Sequence, residues 1–336
     1  MFRRLKKTLA AALFGAALLA APAAQAECQG SNLLDQMAPD RRAALQAAAQ
    51  AVPYPVGNFW RAERDGARLT ILGTYHLDDP RHDPVVQHFA AEIAAAATVL
   101  VEAGPAEEKA LLDRMAADPS ILLITEGPNL MQLLPPDIWA ELKQAAADRG
   151  IPAFMAAKFR PWYITVLLAV PPCAMAEMTD PKGLDGRVID TALAAGVPVR
   201  ALEPFDTVFS VFGAMTAQEQ IDMIAQTLAL EDRIADFSQT LADAYFDGEN
   251  RLMWELMRQE SYDMPGYTRA QIDAEMARME DLLMVRRNRA WIPVIEDAAR
   301  QGPAVVAFGA LHLSGQDGVL NLLAQNGWTI TPITLP

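Results

Sequence analysis

The sequence predicts an α/β domain: a mixed, largely parallel sheet flanked by helices, with a long, mostly helical central insertion. Three observations predict it. Short apolar runs ending at glycine or a carboxylate lie near both ends of the 336-residue chain. A strand, a helix and a second strand follow one another over about 35 residues, the order of a βαβ unit. The middle of the chain carries apolar residues at helical spacing between capping signals.

In chain order, Asp40 to Val52 reads as an alanine-rich helix, and Pro53 to Asn58 as a polar turn. Arg68 to Gly73 is a compact apolar strand. Pro84 to Ala97 reads as a helix with proline in its first turn, and Thr98 to Glu102 as a strand ending in a carboxylate. Helices follow at Ala106–Ala117, Pro136–Arg149 and Arg187–Ala195, then a short strand at Pro198–Glu203. Thr216-x-x-Glu219 is a capping box that opens a long helix to Phe246. Glu249–Glu260 and Ala270–Arg300 continue the helical region, with an interruption at Pro265-Gly266 and a kink or split expected at Pro293. Ala304–Phe308 returns to strand, Asp317–Gln325 to helix, and Trp328–Ile333 to a last strand. No linker divides the chain. We read residues 1–26 as a leader and 27–336 as one domain, with the helical insertion at about 209–261.

The leader has Arg3, Arg4, Lys6 and Lys7, an apolar run from Leu9 to Ala21, and the small-residue site Ala24-Gln25-Ala26. That order reads as a secretory signal peptide with cleavage expected after Ala26, the alternative being an uncleaved N-terminal anchor. The run is short of the ~20 residues that span a bilayer, and no later run is long enough. A periplasmic or secreted protein is expected. In an oxidising compartment Cys28 and Cys173, the only two cysteines, are natural partners. Closing so long a loop stabilises by about 5 kcal/mol at most in the chain-entropy model.

With 52% hydrophobic and 21% charged residues, the chain is neither disordered nor fibrous. Its net charge of −14 argues against a nucleic-acid partner. Two cysteines exclude a multi-cysteine zinc fold or a four-cysteine iron–sulfur site.

Only four histidines are present, yet two share one setting. Thr70-Ile-Leu-Gly73-Thr-Tyr-His76 and Val306-Ala-Phe-Gly309-Ala-Leu-His312 are each an apolar strand, a glycine, two residues and a histidine. Roughly 0.2 such Gly-x-x-His spacings are expected by chance. Ligands of open α/β sheets gather beyond the carboxyl ends of the strands, where Gly73 and Gly309 let the backbone turn or approach a ligand. With Glu102 at another strand end, His76 and His312 would form a ligand set for a catalytic divalent metal. A metal-free version uses a histidine or Glu102 as the base that activates water. Alternatively the histidines only hydrogen-bond loops.

Further candidates are weaker. Asp78, Asp79, His82 and Asp83 are extra ligands, partners of an imidazole, or a solvated loop. His88 is structural or exposed. Asp185 orients the site, binds metal or caps a helix, and Glu203 orients the site, binds metal or makes an ion pair. The methionines from Met253 to Met284 line a groove or pack in a core.

These residues resemble the TraB/PrgY/GumN family, related to the TIKI proteases, whose signature is two Gly-x-x-His motifs with a glutamate between them. The match extends to Lys158-Phe-Arg-Pro-Trp162, Gly183-Leu-Asp185, Leu202-Glu203 and Arg287-Asn288, and runs from about Asn58 to Thr334. The resemblance implies a fold related to the erythromycin esterase and ChaN-like proteins. Its TIKI branch implies metal-dependent proteolysis. His76, Glu102 and His312 would then be catalytic or metal-binding. Arg287 would stabilise an oxyanion or hold a substrate carboxylate, and Gly73, Gly309, Asp185, Glu203 and Asn288 would stand behind them. The leading expectation is an exported hydrolase of a peptide or small-molecule substrate, with Mn, Co or Zn as the metal. The alternatives are a non-catalytic binder of a small peptide, in the manner of pheromone-shutdown members, or of haem or an iron complex, as in ChaN-like relatives.

Overall fold

The computed structural model describes residues 28, 30–179, 182–263 and 266–335. The leader lies outside them, and so does Pro265 of the expected Pro265-Gly266 interruption. Six strands form one sheet: β1 (Phe59–Arg64), β2 (Ala67–Thr74), β3 (Thr98–Val101), β4 (Val199–Ala201), β5 (Ala304–Gly309) and β6 (Thr329–Pro332). Their order is β4-β3-β5-β2-β1-β6. The pairs β4·β3, β3·β5 and β5·β2 are parallel, and β1 is antiparallel to both β2 and β6. The parallel strands β2, β3 and β5 are buried along nearly their whole length. A parallel strand covered on both faces needs such unbroken apolar runs, and these are the runs read from the sequence.

The sequence reading missed β1. Arg61, Glu63 and Arg64 interrupt its apolar pattern, but alternate residues Trp60 and Ala62 are buried. Asp65 and Gly66 join β1 to β2, both at positive φ (51° and 83°). An Asp-Gly pair of this kind is the preferred two-residue hairpin turn.

Helices fill every parallel crossover. His82–Ala94 links β2 to β3, and the described helices between β4 and β5 run from Thr207 to Gln301. The expected helix 216–246 is two helices, Ala217–Leu228 and Ile234–Phe246, separated by a turn at Glu231–Arg233. The corner is held by Arg149, fully buried, which grips Glu231 through both guanidinium ends at 2.7 and 3.0 Å. The split expected at Pro293 does not occur: Arg286–Gln301 is one helix. Proline costs that helix the hydrogen bond to the Arg289 carbonyl, but Pro293 and Arg289 lie on its exposed side, where that carbonyl is open to solvent.

Residues of the sheet and its covering helices make the main core, including Leu72, Leu100, Val306, Phe89 and Trp291. A second cluster, around Leu130, Leu142, Ile164 and Ile224, belongs to the helices between β3 and β4 and to Ala217–Leu228. A third joins Leu34 and Leu45 to Leu252 and Leu256, and Met253 packs there rather than in a groove. The Cys28–Cys173 disulfide ties the N-terminal segment to the turn at Pro172–Thr179, with Cα atoms 5.4 Å apart. Among the described residues, no helix is long and apolar enough to cross a membrane.

Candidate active site

The sheet order brings the two histidine segments together. β5 lies between β2 and β3, and Thr74 pairs with Gly309 across the β2·β5 ladder. His76 therefore follows the end of one strand and His312 the end of its neighbour. Glu102 follows β3 on the other side of β5. The three side chains share a cavity of about 340 Å³. Its other wall is apolar and includes Leu241, Trp254, Leu283 and Met284.

The two glycines serve space, since neither has positive φ. A Cβ on Gly309 would lie 3.2 Å from Glu102 Oε1, 3.4 Å from His76 Nε2 and 3.7 Å from the His312 ring. Glycine keeps open the point on which these groups converge. A Cβ on Gly73 would lie 2.5 Å from Leu313 and 3.1 Å from Ala310, so that glycine serves packing under the site.

His76 and His312 are held by different partners. His76 Nδ1 lies 3.2 Å from Asp185 Oδ1, and its side chain is 61% exposed at the cavity mouth. Asp185 sits in the first turn of helix Leu184–Ala194, which is docked by Leu184 N–H donating to the Tyr75 carbonyl at 2.9 Å. Gly183 is required there, because a Cβ would lie 2.3 Å from the His76 carbonyl oxygen. Desolvation opposes a charge on His76, but the contact with Asp185 and the attraction of Asp185 and Glu102 outweigh it and raise its pKa to about 9. Water reaches most of the ring and tempers that rise.

His312 is buried against Trp291, with ring centroids 4.5 Å apart. Its Nδ1 lies 2.6 Å from Asn288 Oδ1. Asn288 Nδ2 donates to the Asp317 carbonyl at 2.8 Å, which turns Oδ1 toward the ring. Nδ1 is then the protonated nitrogen, and Nε2 keeps its lone pair facing the cavity. Desolvation lowers the His312 pKa to about 4, against the attraction of Glu102.

Glu102 accepts from Gly309 N–H at 2.6 Å and from Arg287 Nη2 at 2.5 Å. Desolvation would raise its pKa, but nearby positive charge and the Gly309 hydrogen bond hold it down at about 2. His312 is neutral at pH 7, so near neutrality Arg287, charged His76 and the Gly309 N–H carry this effect. Arg287 has an acceptor for each of its five N–H groups. Nε and Nη2 grip Glu203 at 2.8 Å each, Nη2 also reaches Glu102, and Nη1 reaches the Leu283 carbonyl at 2.9 Å and His312 Nε2 at 3.3 Å. The wide turn Asp281–Val285 presents that carbonyl. Glu203, paired with Arg287, also accepts from Trp291 Nε1 at 3.0 Å.

Trp291 is one of the site residues that sequence reading missed, with Leu241, Tyr245, Trp254 and Leu283 of the cavity lining. It follows Arg287 by four positions on one helix, so both face the same side. Asp78 and Asp83 pair with Arg187, and Asp79 pairs with Arg81. His82 is buried with Nε2 3.1 Å from the Leu77 carbonyl, and His88 is exposed. None of these lines the cavity.

The donor chemistry fits a divalent ion: two imidazole nitrogens and a carboxylate, with His312 held through its far nitrogen by Asn288 and His76 facing Asp185 through its own. The distances do not close around one. Among the described residues, no group of three His, Cys, Asp or Glu side chains is gathered closely enough to hold a metal. His312 Nε2 is 4.0 Å from Glu102 Oε1 and also faces Arg287.

The sequence model of one family, TraB/PrgY/gumN, matches residues 58–332. No curated protein matches the chain.

Proposed function

We propose, for a chain that belongs to the TraB/PrgY/gumN family, that the His76–Glu102–His312 cluster is the centre of an exported, metal-dependent hydrolase cleaving a peptide or amide bond. One observation carries this reading: His312 Nδ1 is hydrogen-bonded to Asn288, His76 Nδ1 faces Asp185 at 3.2 Å, and His76 Nε2 and Glu102 Oε1 converge on the space above Gly309 beside the His312 ring. His76, Glu102 and His312 would hold the ion only after their side chains draw together and His312 Nε2 leaves Arg287, since as they stand they do not close around one. When bound it would supply a Lewis acid and an activated water near neutral pH. Asp185 and Asn288 orient the two rings. Arg287, with its donors engaged, positions Glu102 and His312 rather than receiving an oxyanion. The wall of Leu241, Trp254, Leu283 and Met284 excludes water and takes apolar parts of the substrate. The leader sequence and the Cys28–Cys173 pair support export.

A second reading uses the same residues without an ion. The environments push the histidines to opposite sides of neutrality: charged His76 would donate a proton to the leaving group, and neutral His312, once Nε2 is released from Arg287 Nη1, would accept one from water.

A peptide-library cleavage screen with added Mn²⁺, Co²⁺ or Zn²⁺ tests both. We expect turnover that falls by about 10²–10⁴-fold in Glu102→Gln. Loss on chelation supports the metal reading, and chelator-insensitive turnover lost in His76→Ala and His312→Ala supports the second. Peptide binding without turnover under every condition contradicts both.

A further inference from the structure

The segment Lys158-Phe-Arg-Pro-Trp162 takes no part in the cluster, yet its Arg160 and Trp162 line a second cavity. That cavity has a volume of about 530 Å³ and lies between segments that precede β4 in the chain, with Arg114, Arg160 and Trp162, and the segment from Phe205 to Gln220 that follows it. This is within the ~300–1,000 Å³ of ordinary small-ligand sites.

Its floor is aromatic. Trp162 and Phe212 are stacked with centroids 4.9 Å apart and planes 22° apart, and Phe209 meets Trp162 edge-on at 6.1 Å. All three rings are half-buried, so each keeps open surface. A planar ligand ring would extend this stack.

Its rim is charged. Arg160 is anchored by Nε donating to the Ser120 carbonyl at 2.8 Å. Its two Nη groups make no hydrogen bond or ion pair among the described residues. Arg114, on the same rim, has only a loose 3.5 Å pair with Asp118. Two guanidinium groups in one cavity are notable on a chain of net charge −14, and a guanidinium fork matches a carboxylate. Asp206 adds one acceptor, exposed and without a capping hydrogen bond, suited to a ligand N–H.

We propose that this cavity binds an aromatic carboxylate carrying an N–H: the ring stacks on Trp162 and Phe212, the carboxylate pairs with Arg160, and the N–H meets Asp206. The chemistry is that of an N-acyl aromatic amino acid or of a peptide ending in one. The inference stands apart from the hydrolase reading, because it is read as binding without turnover.

Isothermal titration of the full chain with N-acetyl-L-phenylalanine and with its primary amide tests it. The acid should bind at least tenfold more tightly than the amide, a comparison that needs no variant. Arg160→Gln and Trp162→Leu should each weaken the acid at least tenfold, with unchanged circular dichroism, and Arg160→Lys should recover part of the loss. A hexapeptide ending in phenylalanine separates the two sources. Binding tenfold tighter than the acid assigns the cavity to a peptide terminus, and equal binding assigns it to a small acid. No binding of the acid, equal binding of acid and amide, or full affinity in both variants overturns the proposal.

Discussion

His76 and His312 leave neighbouring parallel strands by the same step after a glycine, but they end in opposite surroundings. His76 is 61% exposed and faces a carboxylate, whereas His312 is 7% exposed and faces a carboxamide. One is driven toward the charged form and the other toward the neutral form. The shared pattern fixes where each ring stands. The partner at Nδ1 and the depth of burial fix what each ring can do.

The largest expected effect comes from the group that ties the two halves together. Arg287→Ala leaves Glu102 and Glu203 in a largely enclosed site without their shared cation. Breaking a buried ion pair from one side costs about 3–5 kcal/mol, and urea unfolding should show a loss of that order. A loss near zero would mean that Arg287 does not hold the two carboxylates.

Exchanging the partners tests the comparison itself. Asp185→Asn should lower the His76 pKa, and Asn288→Asp should raise that of His312, each read by titrating ring protons in nuclear magnetic resonance. Titrations unmoved by the exchange would show that burial alone separates the two histidines.

Stability should respond to pH on both flanks. His312 resists protonation when folded, so stability falls as pH drops from 6.5 toward 4, and Glu102 adds to the loss from 4.5 toward 2. His76 holds its proton more tightly when folded, so its contribution is full below pH 6.5 and is lost as pH rises toward 9. Asp185→Asn should flatten only the alkaline flank of a urea-midpoint profile.

The smallest effect separates the two glycines. Gly73→Ala forces a methyl group against Leu313 and Ala310 and should cost about 1–3 kcal/mol. Gly309→Ala should cost less stability but block the shared space, so that turnover falls while unfolding changes little. Equal stability losses at both positions would remove the distinction drawn between them.

Much of this was legible in the sequence because it is local. The apolar runs of β2, β3 and β5, the glycine at each turn and the histidine beyond it can be read within a few residues. The Arg287-Asn288 pair could be noticed, but not that Asn288 would hold His312 while its neighbour held Glu102. The difference between the histidines was not legible, since Asp185 and Asn288 reach them only after the chain has folded. β1 was hidden by its charged residues, though the Asp65-Gly66 turn marked it. The corner at Glu231 depended on Arg149, which is distant in the chain. Pro293 does not split its helix, because its exposed side leaves the freed carbonyl open to water.

The most direct test of the central claim is the number of ions bound per chain. Co²⁺ or Zn²⁺ titrated into metal-stripped protein should saturate at one ion, and His76→Ala and His312→Ala should each abolish that binding. Unchanged stoichiometry and affinity in both variants would contradict a metal centre built from the two Gly-x-x-His segments.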